Sequence, residues 1–192
     1  MPIPLPMRFE DEPLLWTVPA VYSARECQQF IERIESSAPS LATNNPEYRD
    51  QDRVMKDDPE VAADLFERLK PHLPARIGEF QLVGLNARLR FYRYRTGQRF
   101  KPHMDHWYRP TPNRITLHTV LIYFNGDFEG GETRFTEQVE EQLVTPEPGL
   151  AAIFQHKIRH EGCPVLRGAK YALRTDVIFE APDGIDRVRP TT

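Results

Sequence analysis

Cysteine is scarce in this chain: two in 192 residues, Cys27 and Cys163. That count excludes a disulfide-stapled scaffold and a cysteine-rich zinc fold, and free thiols in a reducing compartment are the expectation. A strong charge of one sign is also missing. Lys and Arg number 25 against 28 Asp and Glu, a net charge of −3, which argues against nucleic acid and an anionic membrane surface as partners. No apolar run approaches the ~20 residues of a membrane-crossing helix. The opening Met1-Pro-Ile-Pro-Leu-Pro-Met7 lacks the basic-then-apolar order of a signal peptide, so a soluble, cytoplasmic protein is expected. There is no internal repeat, no low-complexity tract, no Ser/His/Asp set, no phosphate loop and no Cys-x-x-Cys pair.

What is present is a globular balance, 40% hydrophobic and 28% charged, with 18 prolines that punctuate a loop-rich fold. The length suits a single domain over 1–192. We expect a helical N-terminal support region over 1–78, a core over 79–180 and a tail over 181–192. Residues 1–22 read as extended. Ser23-Ala24-Arg25-Glu26 has the form of a capping box, and Cys27, Phe30, Ile31 and Ile34 follow helical spacing behind it. Residues 38–56 are polar and read as a loop that is mobile or covers a site. Asp58-Pro59 opens a second helix as cap and first residue, with Ala62, Leu65, Phe66 and Leu69 as its buried stripe.

Beyond Pro74 the period changes. Residues 79–83, 87–95, 114–124, 132–135, 149–155 and 170–179 are short, rich in β-branched and aromatic residues, and parted by turn signals. Helices first and strands afterwards give an α+β, mainly β class. A double-stranded β-helix (jelly-roll) core with N-terminal packing helices fits this order.

The chemistry gathers around His103-Met104-Asp105 and, much later, His160. Two imidazoles and one carboxylate are the ligand set of a facial triad for non-haem Fe(II) with open positions. On an extended segment, residues two apart share a side, so a third ligand has to come from a distant strand folded back beside the first. Over 87–95, Arg88, Arg90, Tyr92 and Tyr94 lie on one face, like the wall of a polar cavity. After His160, Lys170, Ala172, Arg174 and Asp176 share a face, where cations can meet an anion held on the metal. Trp107 and Tyr108, directly after the metal loop, are candidates for substrate contact with Arg90, Tyr92 and Arg174. His106 points away from an extended H-x-D pair, His118 packs within the fold, and His72 is structural. The breaker Gly162-Cys-Pro removes His156 and His160 from consideration as a helical zinc pair.

Three segments together, Tyr94-Arg-Thr-Gly97-Gln-Arg-Phe100-Lys-Pro-His103-Met-Asp105, Tyr123-Phe-Asn-Gly-Asp-Phe-Glu129-Gly-Gly-Glu-Thr133-Arg-Phe135 and His160-Glu-Gly-Cys-Pro-Val165-Leu-Arg-Gly168-Ala-Lys170, resemble the prolyl 4-hydroxylase-like branch of the Fe(II)/2-oxoglutarate dioxygenases. The resemblance covers roughly 87–179. It implies that His103, Asp105 and His160 bind Fe(II), that Lys170 pairs with the distal carboxylate of 2-oxoglutarate, that Tyr94 donates to the same carboxylate, and that Thr119 is a further contact. It implies O2 as co-substrate and ascorbate as a possible reductant. The Glu129-Gly-Gly-Glu-Thr133 turn is expected to be structural, its glycines permitting a tight reversal. Members that act on peptidyl proline usually carry an aromatic residue facing the iron in the strand after the lysine; here Arg174 and Asp176 hold the inward positions. The expected activity is hydroxylation of a C–H bond on a protein or peptide side chain. The alternatives are a free amino acid or small carboxylate metabolite as substrate, and a non-enzymatic metal-binding jelly roll.

Overall fold

The structure, a computed structural model, describes residues 3–5, 9, 11–43, 45–136, 141–182 and 188–190. The chain begins with β1 (Ile3–Leu5), β2 (Leu15–Val18), α1 (Ala24–Ser36), β3 (Ser40–Leu41) and β4 (Asp52–Asp57). Next come α2 (Pro59–Leu69), a 3-10 turn at Lys70–His72, β5 (Arg76–Ile77), β6 (Phe80–Leu85), β7 (Arg88–Arg95) and β8 (Phe100–His103). β9 (Arg114–Tyr123), β10 (Glu129–Gly130), β11 (Thr133–Phe135), β12 (Gln142–Val144) and β13 (Ala151–Gln155) follow. The last strands are β14 (His160–Gly162), β15 (Val165–Arg167), β16 (Ala169–Glu180) and β17 (Val188–Pro190).

Two sheets make the double-stranded β-helix. The larger runs β2-β13-β9-β16-β7-β4-β3, with β6 pairing β16 and β5 pairing β6; the smaller runs β12-β11-β14-β8. All pairings within them are antiparallel. Tyr123, Phe135, Ala152, Phe154, Ile158 and Ala172 fill the space between the sheets. The helices form a second apolar layer with Leu89, Phe91, Val120, Ile122 and Leu173 of the large sheet. Phe30 of α1 stacks on Phe124 at 4.8 Å and on Phe91 at 6.2 Å. Full burial, as at Phe91 and Phe124, contributes roughly 1.5–3 kcal/mol per side chain relative to exposure.

Both helix starts form as their sequences dictate. Ser23 accepts from the Glu26 N–H while the Glu26 carboxylate accepts from the Ser23 N–H. Asp58 accepts from the Val61 N–H, with Pro59 as the first helical residue. Two expectations are corrected. Residues 38–56 are not all loop: Asp52–Asp57 is β4, paired along β7. Its sequence has no apolar alternation to announce a strand; the ladder and the Arg93–Asp52 ion pair at 3.0 Å hold it. The segment 181–192 is not wholly a tail, because Val188–Pro190 pairs in parallel with Ile3–Leu5. Asn44, 183–187 and 191–192 lie outside the described residues.

Candidate active site

His103 closes β8, the edge strand of the small sheet, where Pro102 is tolerated because one side of the strand needs no partner. In the β8–β14 ladder His103 lies directly opposite His160, so their side chains are cross-strand neighbours, with ring centroids 4.3 Å apart. Asp105 follows two residues on, tied by its N–H to the His156 carbonyl at 2.9 Å. The ligand atoms of His103, Asp105 and His160 all lie within 4.8 Å of one another. The expected return of a distant strand beside the first ligand is therefore what the chain does.

Each imidazole is oriented by its own backbone. His103 Nδ1 is 2.8 Å from the Lys101 carbonyl and His160 Nδ1 is 2.9 Å from the Ile158 carbonyl. A carbonyl only accepts, so each Nδ1 carries the proton and each Nε2 lone pair is left for a metal. Burial, and then the neighbouring His160, push His103 down to about 3; burial likewise lowers His160. Both are neutral, as ligation requires. Phe154 and Phe135 flank His160 at 4.5 and 5.8 Å.

Burial alone would push the Asp105 carboxyl up, but Arg174, helped by the histidines, outweighs it and holds the group well below the usual carboxylate range. Arg174 Nη2 lies 2.9 Å from Asp105 Oδ1, and Thr119 Oγ1 donates to Oδ2 at 2.5 Å. Arg174 also reaches Asp176 at 3.1 Å, and Asp176 in turn pairs with Arg90 at 3.1 Å and accepts from Asn86 at 3.3 Å. His156 lies 3.5 Å from the same carboxylate.

Along β16, Lys170 faces the same way as Arg174. It is 2% exposed. Its ammonium donates to the Gly131 carbonyl at 2.6 Å and lies over the rings of Tyr94 and Tyr123 at 5.1 and 5.2 Å. No carboxylate is within ion-pair distance of it among the described residues. Burial pushes the lysine down to about 8. The Glu129-Gly-Gly-Glu-Thr133 turn sets this contact: Gly131 has φ +71°, and a Cβ there would sit 2.9 Å from the Phe128 ring. A buried cation with one neutral acceptor has charge that an anion could compensate.

The triad, Lys170, Tyr94, Thr119, Tyr92 and Arg174 thus line one cavity with Phe100, Leu121, Thr133, Phe154, Gly162 and Ala172. The cavity is tight, with about 40 Å³ of free volume. Arg90 is committed to Asp176. Trp107 packs against the core beneath Lys157 and Tyr108 is exposed, and neither lines the cavity. His106 is exposed and His118 is buried between Trp16 and Phe179. Sequence reasoning missed Thr133, which shares a 2.6 Å hydrogen bond with the Tyr123 hydroxyl, and the contacts of His156 and Asn86 with Asp176. Strand parity could have placed Thr133 and Tyr123; nothing local marks the others.

These features define a class: a non-haem metal oxygenase scaffold of double-stranded β-helix fold, with a two-histidine, one-carboxylate site. Known proteins narrow it. The family described as the 2OG-Fe(II) oxygenase superfamily matches residues 89–175. A PKHD-type hydroxylase of Shewanella baltica is 26% identical over 176 residues, covering 83% of this chain and 75% of the relative. Among solved structures, a Pseudomonas putida prolyl-4-hydroxylase superposes with TM-score 0.67 at 16% identity, covering 88% of this chain and 93% of that one. The viral collagen prolyl hydroxylase of Paramecium Bursaria Chlorella virus-1 gives 0.64 at 18%, covering 89% and 98%. The match over residues 89–175 and the likeness in fold to prolyl hydroxylases support an oxygenase that uses Fe(II), 2-oxoglutarate and O2. Among the described residues no helix is long and apolar enough to cross a membrane.

Proposed function

We propose that this oxygenase hydroxylates a side chain presented by a protein or peptide, with His103, Asp105 and His160 holding Fe(II) and Lys170 and Tyr94 receiving the distal carboxylate of 2-oxoglutarate. The observation that carries the assignment is Lys170, a buried cation without a carboxylate partner in the cavity that the three ligand residues also line. Bound together, Fe(II) and 2-oxoglutarate supply the oxidising power that puts one atom of O2 into succinate and the other into a substrate C–H bond.

The chain's own residues do the positioning. The Lys101 and Ile158 carbonyls fix both imidazoles, while Thr119 and Arg174 fix the Asp105 carboxylate. The Gly131 carbonyl holds the Lys170 ammonium in place. Leu121, Phe154 and Ala172 keep water from the cavity wall. Thr119, which the resemblance offered as a co-substrate contact, acts in this reading through Asp105, and Arg174 acts as scaffold rather than as substrate contact. Support for a peptide substrate comes from the surface. Tyr48, edge-on to the cavity-lining Phe100 ring at 5.5 Å, and Met55, opposite Arg90 in the β4–β7 ladder, are exposed large side chains. Exposed apolar groups grouped together mark a binding surface.

The test supplies Fe(II), 2-oxoglutarate and a peptide library, with mass spectrometry reading oxygen addition and a parallel assay reading succinate. We expect oxygen-bearing peptides with matching succinate, both lost in His160→Ala. Oxygen appearing only on free amino acids would contradict the peptide reading; succinate production surviving in His160→Ala would contradict the metal assignment.

A further inference from the structure

The segment 48–53 crosses from the small sheet to the large one beside Phe100 and Tyr92, which line the cavity. On one side Arg49 bridges to Phe100, and the Tyr48 carbonyl accepts from Lys101, both on β8. On the other side Asp52 and Arg53 pair with Arg93 and Tyr92 on β7. Residues directly opposite in an antiparallel pair share a face, so Arg53 stands on the side of Tyr92, which lines the cavity. Gln51, two residues before Arg53, has the same strand parity.

Three polar side chains of this segment are short of partners. The Arg49 guanidinium lies over the Phe100 ring at 4.3 Å and faces Tyr92 at 6.0 Å. Its Nε and Nη2 are buried without a hydrogen-bond acceptor. Phe100 itself stacks on the His103 ring at 3.5 Å, so Arg49 is two ring layers from a ligand residue. Gln51 is fully buried and neither its Nε2 nor its Oε1 has a partner. Arg53 forms no ion pair among the described residues; burial, with Arg49, Arg90 and Arg88 nearby, pushes it below its ordinary value. Of the cations near it, Arg90 is already held by Asp176. Buried donors without acceptors are costly, and a planar guanidinium fork matches a carboxylate.

We propose that Arg49, Gln51 and Arg53 form a receptor for a carboxylate on the substrate, so that the peptide segment taken by this enzyme is acidic. This rests on reading the chain as a peptide side-chain hydroxylase. Lys170 lines the cavity and Arg49, Gln51 and Arg53 stand behind its Phe100 and Tyr92 wall, so co-substrate and substrate anions are taken by different cations.

The test uses the full chain loaded with Mn(II) and 2-oxoglutarate under anaerobic conditions, so that binding is read without oxidation. The protein is immobilised and offered a random peptide library in which one flanking position is Glu or Gln in equal amounts, and retained peptides are quantified by mass spectrometry. The proposal predicts retention of Glu peptides about tenfold over Gln peptides, the worth of one charge-assisted contact. That preference disappears in the Arg49→Gln/Arg53→Gln double variant and partly survives in Arg49→Lys/Arg53→Lys; thermal unfolding of both variants reports that they fold. No preference for Glu, or a preference that survives the double Gln variant, overturns the receptor. A parallel calorimetric arm with free glutamate and N-acetylglutamate separates the two readings. Binding of these, lost in the double variant, with no peptide retained, keeps the receptor and removes the peptide substrate. Absence of binding in both arms removes the receptor.

Discussion

Lys170 and Arg174 stand on the same face of β16, one helical turn's worth of sequence apart, and both cations line the same cavity. Their surroundings are opposite. Arg174 lies between the Asp105 and Asp176 carboxylates, at 2.9 and 3.1 Å. Lys170 has one neutral carbonyl and two aromatic rings. A buried cation whose partners are in place is part of the scaffold, and breaking it strands charges. A buried cation without partners carries an uncompensated desolvation cost that a ligand can offset. The contrast teaches which of two similar side chains is built to receive something.

The sharpest way to break the comparison is to remove each charge in turn. Arg174→Met leaves Asp105 buried without its cation and Asp176 with Arg90 alone, and urea unfolding of the metal-free protein should show a loss of about 3–5 kcal/mol. Lys170→Met removes a charge that folding had to desolvate, so the same measurement should show stability unchanged or raised. Equal losses in the two variants would erase the distinction between scaffold and receptor.

The next effect is on pH. Burial holds Lys170 down to about 8 from its ordinary 10.5. Below pH 8 folded and unfolded chains both carry the charge, and the folded form bears the desolvation cost. Between about 8 and 10.5 the unfolded chain binds the extra proton, so stability rises with pH by up to roughly 3 kcal/mol. The difference between wild type and Lys170→Met isolates this contribution. Affinity for 2-oxoglutarate should move the other way, flat below pH 8 and falling about tenfold per pH unit above it. Asp176 gives the opposite window. Burial would raise its carboxyl, but Arg174 outweighs this and holds it low, so its contribution is present at neutral pH and lost as pH falls into the acid range.

Gly131→Ala sharpens the comparison from the Lys170 side. A side chain at φ +71° is strained, and its Cβ meets the Phe128 ring. We expect a loss of about 1–3 kcal/mol, together with weaker 2-oxoglutarate binding, because the carbonyl that seats the ammonium shifts. The smallest effect is the control far from the cavity: Ser23→Ala removes the α1 cap, costs about 1 kcal/mol and leaves 2-oxoglutarate affinity untouched. A change in affinity there would show that affinity follows global stability rather than Lys170.

Much of this was legible in the sequence. Caps at Ser23 and Asp58 and the alternation in 87–95, 114–124 and 170–179 reflect local physics, and each becomes the expected helix start or strand. The grouping of His103, Asp105 and His160 was legible because their motif sets which side chains share a side, and the cross-strand pairing brings the three together. β4 could not be read, since its polar residues are held by partners on β7 rather than by periodicity. The role of Arg174 was equally hidden. Sequence parity put it inside, but only the fold brings Asp105 to it and joins Arg90 to Asp176 across a separation of 86 residues. The same limit hid Arg49 and Gln51, whose lack of partners is a property of the assembled fold.

The central claim is that Lys170 is the receptor for the co-substrate's distal carboxylate. We would titrate Fe(II)-loaded wild type and Lys170→Met with 2-oxoglutarate anaerobically, following the weak visible charge-transfer band that marks its chelation of iron. The account predicts the same band in both proteins, with the variant needing roughly 100-fold more 2-oxoglutarate, as expected when one partner of a buried charge pair is removed. Equal affinity in the two proteins would contradict it and leave the buried lysine without the role assigned to it here.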